Sequence, residues 1–248
     1  MRDKIVIASK VGFIKHGGPQ DFSADHIKKS VEGSLKRLGT DYIDLYQLHS
    51  PPIEDILENR EAVTALHSLK DQGLIKAIGI SVKNPGDGLR AISDLGFQSV
   101  QVNFNMIDQR ALENGLFELA LKNGAGIIAR TPLAFGFLSG KIMDLNFDSQ
   151  DHRSSWPKEQ LQRWADAPNL FSFVNKGKSR TPVQLALRFC LSFDAVATVI
   201  PGMMSCEEVV ENAKASEVEP LDENELKEID QVYKNNTFFD KNIKQENK

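Results

Sequence analysis

His49 closes the stretch Tyr42-Ile-Asp-Leu-Tyr-Gln-Leu-His49-Ser-Pro-Pro52, whose alternating apolar and mixed residues read as a buried strand. The proline pair cannot continue a ladder, so His49 stands at the carboxyl end of that strand, where parallel α/β proteins collect their chemistry. A lone histidine in such a place is more often structural than catalytic. Its company shifts the reading. Lys10 ends an earlier strand-like run, Lys4-Ile-Val-Ile-Ala-Ser-Lys10, and is followed by Val11-Gly12. A basic and an imidazole side chain, each at a strand end, converge if both strands belong to one parallel barrel.

The elements that must position these two residues can be read in order. Ser23 caps a predicted helix whose residues Ile27, Val31, Leu35 and Leu38 fall on one face, with Gly39 closing it. Ala62, Leu66 and Leu69 mark a second helix stopped by Gly73. Ile75 to Ser81 reads as a strand, Gly88 to Leu95 as a short helix, and Phe97 to Asn103 as another strand. A helix along Leu112, Leu116, Leu119 and Ala120 follows, then a strand from Gly126 to Arg130. Strand and helix alternating in this way produce a parallel sheet with right-handed crossovers.

The rhythm breaks from Pro132 to Arg180, a length that suits a lid or binding loop better than a plain connection. Phe135, Phe137, Trp156, Trp164, Phe171 and Phe173 in this insert either pack it locally or form an apolar substrate wall. Beyond it, Thr181-Pro182 opens a helix through Leu185 and Phe189, and Ala195 to Ile200 is the last strand. Ser205 with Glu208, and Asp222 with Glu225, have capping-box spacing for two final helices. From Asn235 onward the chain is polar and is expected to fray.

Composition bounds the rest. Of 248 residues 41% are hydrophobic and 26% charged, which suits a globular protein with a large core and no linker that divides it. A net charge of -4 and a pI near 5.8 disfavour a nucleic-acid or anionic-membrane surface. Cys190 and Cys206 form no metal or disulfide pattern, and with no signal peptide or spanning segment a reduced, cytoplasmic setting is expected. Asn235-Asn236-Thr237 has the form of a glycosylation site, which carries no weight without secretion. His16, His26, His49, His67 and His152 lack metal-ligand spacing, so no metal site is expected. A serine hydrolase is disfavoured for want of a G-x-S-x-G turn.

Several motifs occur in a set order: Ser9-Lys10-Val11-Gly12; Leu38-Gly39-Thr40-Asp41-Tyr42-Ile43-Asp44 running to Leu48-His49; Ile78-Gly79-Ile80-Ser81; and Gln101-Val102-Asn103-Phe104-Asn105. Ala129-Arg130-Thr131-Pro132-Leu133 with Gly136-Phe137-Leu138-Ser139-Gly140-Lys141, and Val199-Ile200-Pro201-Gly202 before Glu211-Asn212, complete the set. Each is weak alone; together, from about Lys4 to about Leu226, they resemble the aldo-keto reductases. The resemblance implies an α/β fold of the (β/α)8 TIM-barrel type and NAD(P)H-dependent reduction of an aldehyde or ketone. It places the barrel domain in residues 1–234, with 132–180 as a long substrate loop and 235–248 as a polar tail.

The resemblance also implies roles. Lys10 corresponds to the lysine that lowers the pKa of a catalytic tyrosine, and His49 to the histidine that orients the carbonyl. Ser81 and Gln101 correspond to residues that hold the nicotinamide carboxamide. Arg130 stands where an aromatic side chain often stacks on the nicotinamide, a task its planar guanidinium could share. Thr131, Pro132, Leu133, Gly136, Leu138, Gly202, Ser205, Glu208 and Asn212 complete the implied nucleotide contacts, with amides near Ser205 suited to a phosphate. Phe13, Phe135, Trp156 and Trp164 are the candidates for the substrate pocket.

The sequence departs from the family in two places. The expected tyrosine and aspartate before the lysine strand are not found, since only Met1-Arg2-Asp3-Lys4 precede it. Roughly six strands are legible where the fold has eight, so the first two βα units, about 60 residues, are expected to be missing. Three origins are open: a trimmed or misassigned start, a natural truncated relative that binds nucleotide without turnover, or another chain that covers the open edge. The second departure is Glu208 where a basic residue or glutamine is usual, beside Gly202-Met203-Met204-Ser205. A carboxylate there repels a 2′-phosphate and weakens NADPH preference, unless it only completes the helix cap. A non-catalytic regulatory module of the same fold, like the reductase-like subunits of ion channels, is the alternative to an enzyme.

Overall fold

A computed structural model describes residues 2–15 and 17–239; His16 and residues 240–248 of the anticipated tail lie outside these. Six strands follow one another through the sheet in chain order: β1 (Ala8–Val11), β2 (Ile43–His49), β3 (Ile75–Ser81), β4 (Ser99–Asn103), β5 (Gly126–Arg130) and β6 (Val196–Ile200). The ladders β1–β2, β2–β3 and β3–β4 are parallel. The helices are α1 (Ala24–Leu38), α2 (Ile53–Glu58), α3 (Glu61–Asp71), α4 (Pro85–Ser93), α5 (Arg110–Glu113), α6 (Leu116–Lys122), α7 (Lys158–Leu170), α8 (Pro182–Leu191), α9 (Cys206–Ala213) and α10 (Glu223–Asn235). Among the described residues no helix is long and apolar enough to cross a membrane. The chain divides into two compact units: residues up to Val102 with Asn114–Ile127, and Asn103–Glu113 with the chain from Ile128 onward.

In the first unit the period of two along each strand separates two faces. Tyr46, Leu48, Ile78, Ile80 and Val100 are buried on one face, with Ile27 and Val31 of α1 and Leu66 and Leu69 of α3 in the same core. Each such aliphatic side chain contributes about 1.5 to 3 kcal/mol when fully buried. Ser23 caps α1 by accepting from the His26 backbone N–H at 3.3 Å, and Gly39 ends it in the left-handed region. Leu38, expected on the apolar face, is exposed, in the last turn before Gly39 ends the helix.

Several boundaries differ from the sequence reading. The strand expected from Lys4 begins only at Ala8, because Arg2–Lys4 form a 3-10 turn. The Arg2 guanidinium donates to Asp44 at 2.7 Å and to the Tyr42 carbonyl at 2.8 Å, which folds the leading residues back on β2. The helix expected through Leu112 and Ala120 breaks into α5 and α6 at Gly115, whose φ of 82° is left-handed. α2 was not anticipated, and α4 starts earlier than expected, at Pro85, with Asn84 as its cap. β3 and β5 match the expected ranges residue for residue.

The second unit contains the insert, which is more ordered than a plain loop: α7 and 3-10 turns at Ala134–Ser139, His152–Ser155 and Ser172–Asn175 occupy it. α8 opens on a capping box in which Thr181 and Gln184 exchange side-chain and backbone bonds. Asp222 and Glu225 form the anticipated box for α10. The box expected from Ser205 and Glu208 is only half made: Ser205 Oγ accepts from the Glu208 N–H, but the Glu208 carboxylate accepts from Met204 N–H at 2.6 Å instead of closing on Ser205. Arg180 is buried and donates to Glu225, to the Val174 carbonyl and to Asn175, while its Nη1 has no partner. The tail is also corrected. Asn235 belongs to α10, and beyond it Phe238 is buried while Asn236 and Thr237 are exposed, so the chain stays packed past the point where fraying was expected.

Candidate active site

The first unit carries the Lys10 and His49 pair on the sheet face opposite the apolar one. Register sets Lys10 beside Gln47, Gln47 beside Gly79, and Gly79 beside Ser99. One step toward the carboxyl ends, His49 lies beside Ser81 and Ser81 beside Gln101. Because paired residues of a parallel ladder share a face, these side chains form two successive polar rows. Gln47, Ser81, Ser99 and Gln101 are all buried there, an unusual cost for a core unless the polarity serves a ligand. Gln101 Nε2 donates to Ser81 Oγ at 3.3 Å, and Gln47 Oε1 is buried without a hydrogen-bond partner.

The end of β2 is held in place by its surroundings. The His49 carbonyl accepts from Gln20 Nε2 at 2.6 Å, and the edge of the Phe13 ring meets the imidazole at 4.9 Å and 88°. Ser50 then adopts φ 54°, costly for a residue with a Cβ, and donates its N–H to the Ser81 carbonyl at 2.9 Å. The strained turn points the chain into Pro51-Pro52 and leaves His49 as the last residue of the ladder. Phe13 therefore touches the candidate catalytic histidine, whereas Phe135, Trp156 and Trp164 belong to the other unit.

None of the three tyrosines lies on this polar face. Tyr46 is on the helix-facing side, and burial pushes its hydroxyl up to about 12. The Tyr42 ring lies between the Arg2 guanidinium at 4.0 Å and the Lys76 ammonium at 3.8 Å. Tyr233, in the second unit, is likewise raised to about 12 by burial and donates to Glu113 at 3.2 Å.

The second unit holds a cleft of about 590 Å³. Arg130, Thr131, Pro132, Leu133, Gly136, Gly202, Glu208 and Asn212 line it, which brings together most of the residues implied as nucleotide contacts. Ser81 and Gln101 belong to the first unit, Leu138 is a buried residue of the 3-10 turn, and Ser205 caps α9 without lining the cleft. Phe135 lines the cleft; Trp156 and Trp164 back it, with centroids 4.6 and 5.9 Å from the Phe135 ring.

The turn after β5 is a strained loop. Thr131, Ala134 and Phe135 have φ values of 53°, 46° and 59°, which side chains rarely adopt. Internal bonds fix it: Asn105 Nδ2 donates to the Thr131 carbonyl at 2.9 Å, and the Ala134 N–H donates to the same carbonyl at 2.9 Å. Arg130 Nε donates to Asn103 Oδ1 at 2.8 Å, which sets the plane of the guanidinium, and burial pulls its pKa below the usual arginine range. A guanidinium with a fixed plane can present a flat face to an aromatic ring.

Cleft residues that the sequence reading missed are Lys141, Glu211, His152 and Arg153. Lys141 donates to Glu211 at 2.8 Å; this bond raises the lysine pKa and lowers the glutamate's. Arg153 donates to Asp151 at 2.6 Å, which holds that carboxyl down at about 2. In the first unit the missed residue is Gln47, two positions before His49 and so on its face. That spacing was visible in the alternation.

A family model described as the aldo/keto reductase family matches residues 1–234. An uncharacterized oxidoreductase of Bacillus subtilis is 33% identical over 234 residues, 92% of this chain and 74% of that protein. An L-glyceraldehyde 3-phosphate reductase of Escherichia coli is 28% identical over 244 residues, 93% of this chain and 70% of its own. Among solved structures, the holo form of an aldo-keto reductase from Bacillus halodurans superposes with a TM-score of 0.75 at 32% identity, covering 93% of this chain and 74% of that one. A glycerol dehydrogenase from Gluconobacter oxydans gives 0.80 at 25% identity, covering 96% and 74%.

Proposed function

Because the chain belongs to the aldo/keto reductase family, we propose that it is an oxidoreductase that interconverts a carbonyl and an alcohol with NADH or NADPH. The observation that carries this reading is the second-unit cleft, where residues implied as nucleotide contacts by the resemblance line one cavity. A nicotinamide dinucleotide, when bound, supplies or accepts the hydride. The residues present fit such a group: Arg130 offers a planar cation fixed by Asn103, and Thr131 to Gly136 offer a preformed turn. Lys10 and His49 are assigned to the carbonyl oxygen, the imidazole as hydrogen-bond donor and the ammonium as stabiliser of developing negative charge.

Proton delivery in residues 1–248 alone has no tyrosine on the polar face to draw on, so turnover by this chain alone is expected to be slow. Loss of a positioned acid costs about 10² to 10⁴ in rate. Glyceraldehyde, the unphosphorylated parent of the L-glyceraldehyde 3-phosphate in the name of the Escherichia coli relative, is the first substrate to assay, and 4-nitrobenzaldehyde the second, after the aromatic cleft wall.

Two titrations test the cofactor reading. NADH added to the purified chain is expected to bind saturably, and Arg130→Ala to weaken it about tenfold, as for loss of one charge-assisted contact. A chain with no saturable nucleotide binding ends the proposal. Glu208 sets the second expectation. Its carboxylate already occupies the Met204 N–H at the start of α9 and adds negative charge to the cleft. NADPH should therefore bind less than about tenfold more tightly than NADH, with Glu208→Lys shifting the ratio toward NADPH by about tenfold. A wild-type preference for NADPH above that bound contradicts this role.

A further inference from the structure

We propose that Asn236–Phe239 is a positioning strap: the Phe238 carbonyl fixes the Trp164 indole and, through it, the aromatic wall of the cleft at Phe135. The bonds are long-range and buried. Trp164 Nε1 donates to the Phe238 carbonyl at 2.9 Å, and Gln160 Nε2, four residues earlier on the same face of α7, donates to the same oxygen at 2.6 Å. An indole has a single N–H to give, and this one gives it across 74 residues of chain.

Both aromatic rings of the strap are packed. The Phe238 ring is buried between Phe171, at 6.2 Å and 20°, and Tyr233, at 6.3 Å and 10°. The Phe239 ring meets Trp164 at 5.8 Å and lies under the Arg110 guanidinium at 5.3 Å. Arg110 is itself clamped by two bonds of 2.7 Å to the Asp108 carboxylate.

From Trp164 the contact passes to the cleft. Its ring stacks on Phe135 at 5.9 Å and 27°, and meets Trp156 edge-on at 4.8 Å and 86°. Phe135 lines the cleft from a left-handed backbone at φ 59°. A residue held in that conformation keeps it only where its surroundings over-determine it. The Trp164 ring is one such surrounding, and the strap fixes that ring. Polar residues hide the pair Phe238-Phe239 in the sequence, but they act as an anchor in the fold.

That the wall meets substrate rests on the reductase reading above; that the strap fixes the wall does not. Two deletions separate these statements: removal of residues 238–248 takes the strap away, and removal of 240–248 leaves it. Trp156 and Trp164 are the only tryptophans, so acrylamide quenching reports on the wall directly. The longer deletion is expected to raise the quenching constant at least about twofold and to weaken 4-nitrobenzaldehyde, titrated by calorimetry, about fivefold, while the NADH affinity stays within about twofold. The shorter deletion should leave all three unchanged. Equal quenching in the two deletions overturns the strap, and a parallel loss of NADH and aldehyde affinity overturns its positioning role. If the longer deletion does not fold, Trp164→Phe decides: aldehyde weakened with NADH kept supports the proposal, and aldehyde unchanged refutes it. An intact chain that binds no aldehyde counts against the reductase reading, and the quenching pair then still judges the strap.

Discussion

Lys10→Met is expected to slow carbonyl reduction by about 10² to 10³, with the NADH affinity within about twofold of the parent. Methionine keeps the length and the apolar stem, so the change removes one positive charge with little change in packing. The loss should fall on the chemical step because the charge is needed most where the carbonyl oxygen becomes an alkoxide, and only interactions stronger in the transition state accelerate it. Lys10 belongs to the row with Gln47, one step below His49, Ser81 and Gln101, on a sheet face where polar side chains are buried. His49→Leu should give a loss of similar size, and the double variant less than the product of the two, since both act on one oxygen. The measurement is a single turnover with the chain in excess over NADH and glyceraldehyde, followed by loss of NADH absorbance. A Lys10→Met chain with the parent rate removes Lys10 from the chemistry.

Much of this arrangement is legible in the sequence. The alternation from Tyr42 to His49 assigns faces by parity, so Gln47 and His49 must point one way and Tyr46 and Leu48 the other. β3 and β5 kept their expected bounds because Gly and a polar residue bracket runs that are almost continuously apolar. What failed did so through contacts made across the chain. Local pattern makes Ile5, Val6 and Ile7 strand-like, but Arg2 and the Ile7 N–H both bond to Asp44, and this delays β1 to Ala8. The long helix through Leu112 ended at Gly115 because a left-handed residue cannot continue a right-handed turn.

The candidate site divides in the same way. Residues near the ordered motifs, such as Arg130, Thr131 and Gly202, gather at one cleft, while the Trp164 indole N–H behind the wall bonds to Phe238, far along the chain. No periodicity reports a bond of that kind. Glu208 shows the opposite case, in which a local rule was applied too literally. The spacing from Ser205 was right for a capping box, yet the carboxylate reached one residue further back, to Met204. That extra reach puts the charge in the cleft and makes it relevant to cofactor choice.

Arg180→Ala is expected to cost about 3 to 5 kcal/mol of stability in the second unit, the scale for removing one partner of a buried ion pair. The Arg180 guanidinium donates to Glu225, to Asn175 and to the Val174 carbonyl, and so ties the start of α8 to α10 and to the turn at Ser172–Asn175. Without it the Glu225 carboxylate is left among buried neighbours with only Lys178, at 3.5 Å, to balance it. Glu225→Gln should also destabilise, because the amide offers one oxygen to the two donors that the carboxylate serves, Arg180 at Oε1 and the Asp222 N–H at Oε2, 2.9 Å away, and it leaves the buried Arg180 cation without a counter-charge. Acid adds a second handle. Burial works to raise the Glu225 pKa, but Arg180 and the Asp222 amide outweigh it, so the folded pKa lies below the usual glutamate value of 4.5. A depressed folded pKa means that this stabilisation is complete above the unfolded pKa and is lost as pH falls through the folded one. Urea unfolding midpoints should therefore drop below pH of about 4.5 in the parent and drop less in Glu225→Gln, which has no proton to take up. Parallel acid curves for the two chains would show that the Arg180–Glu225 pair does not set the acid limit.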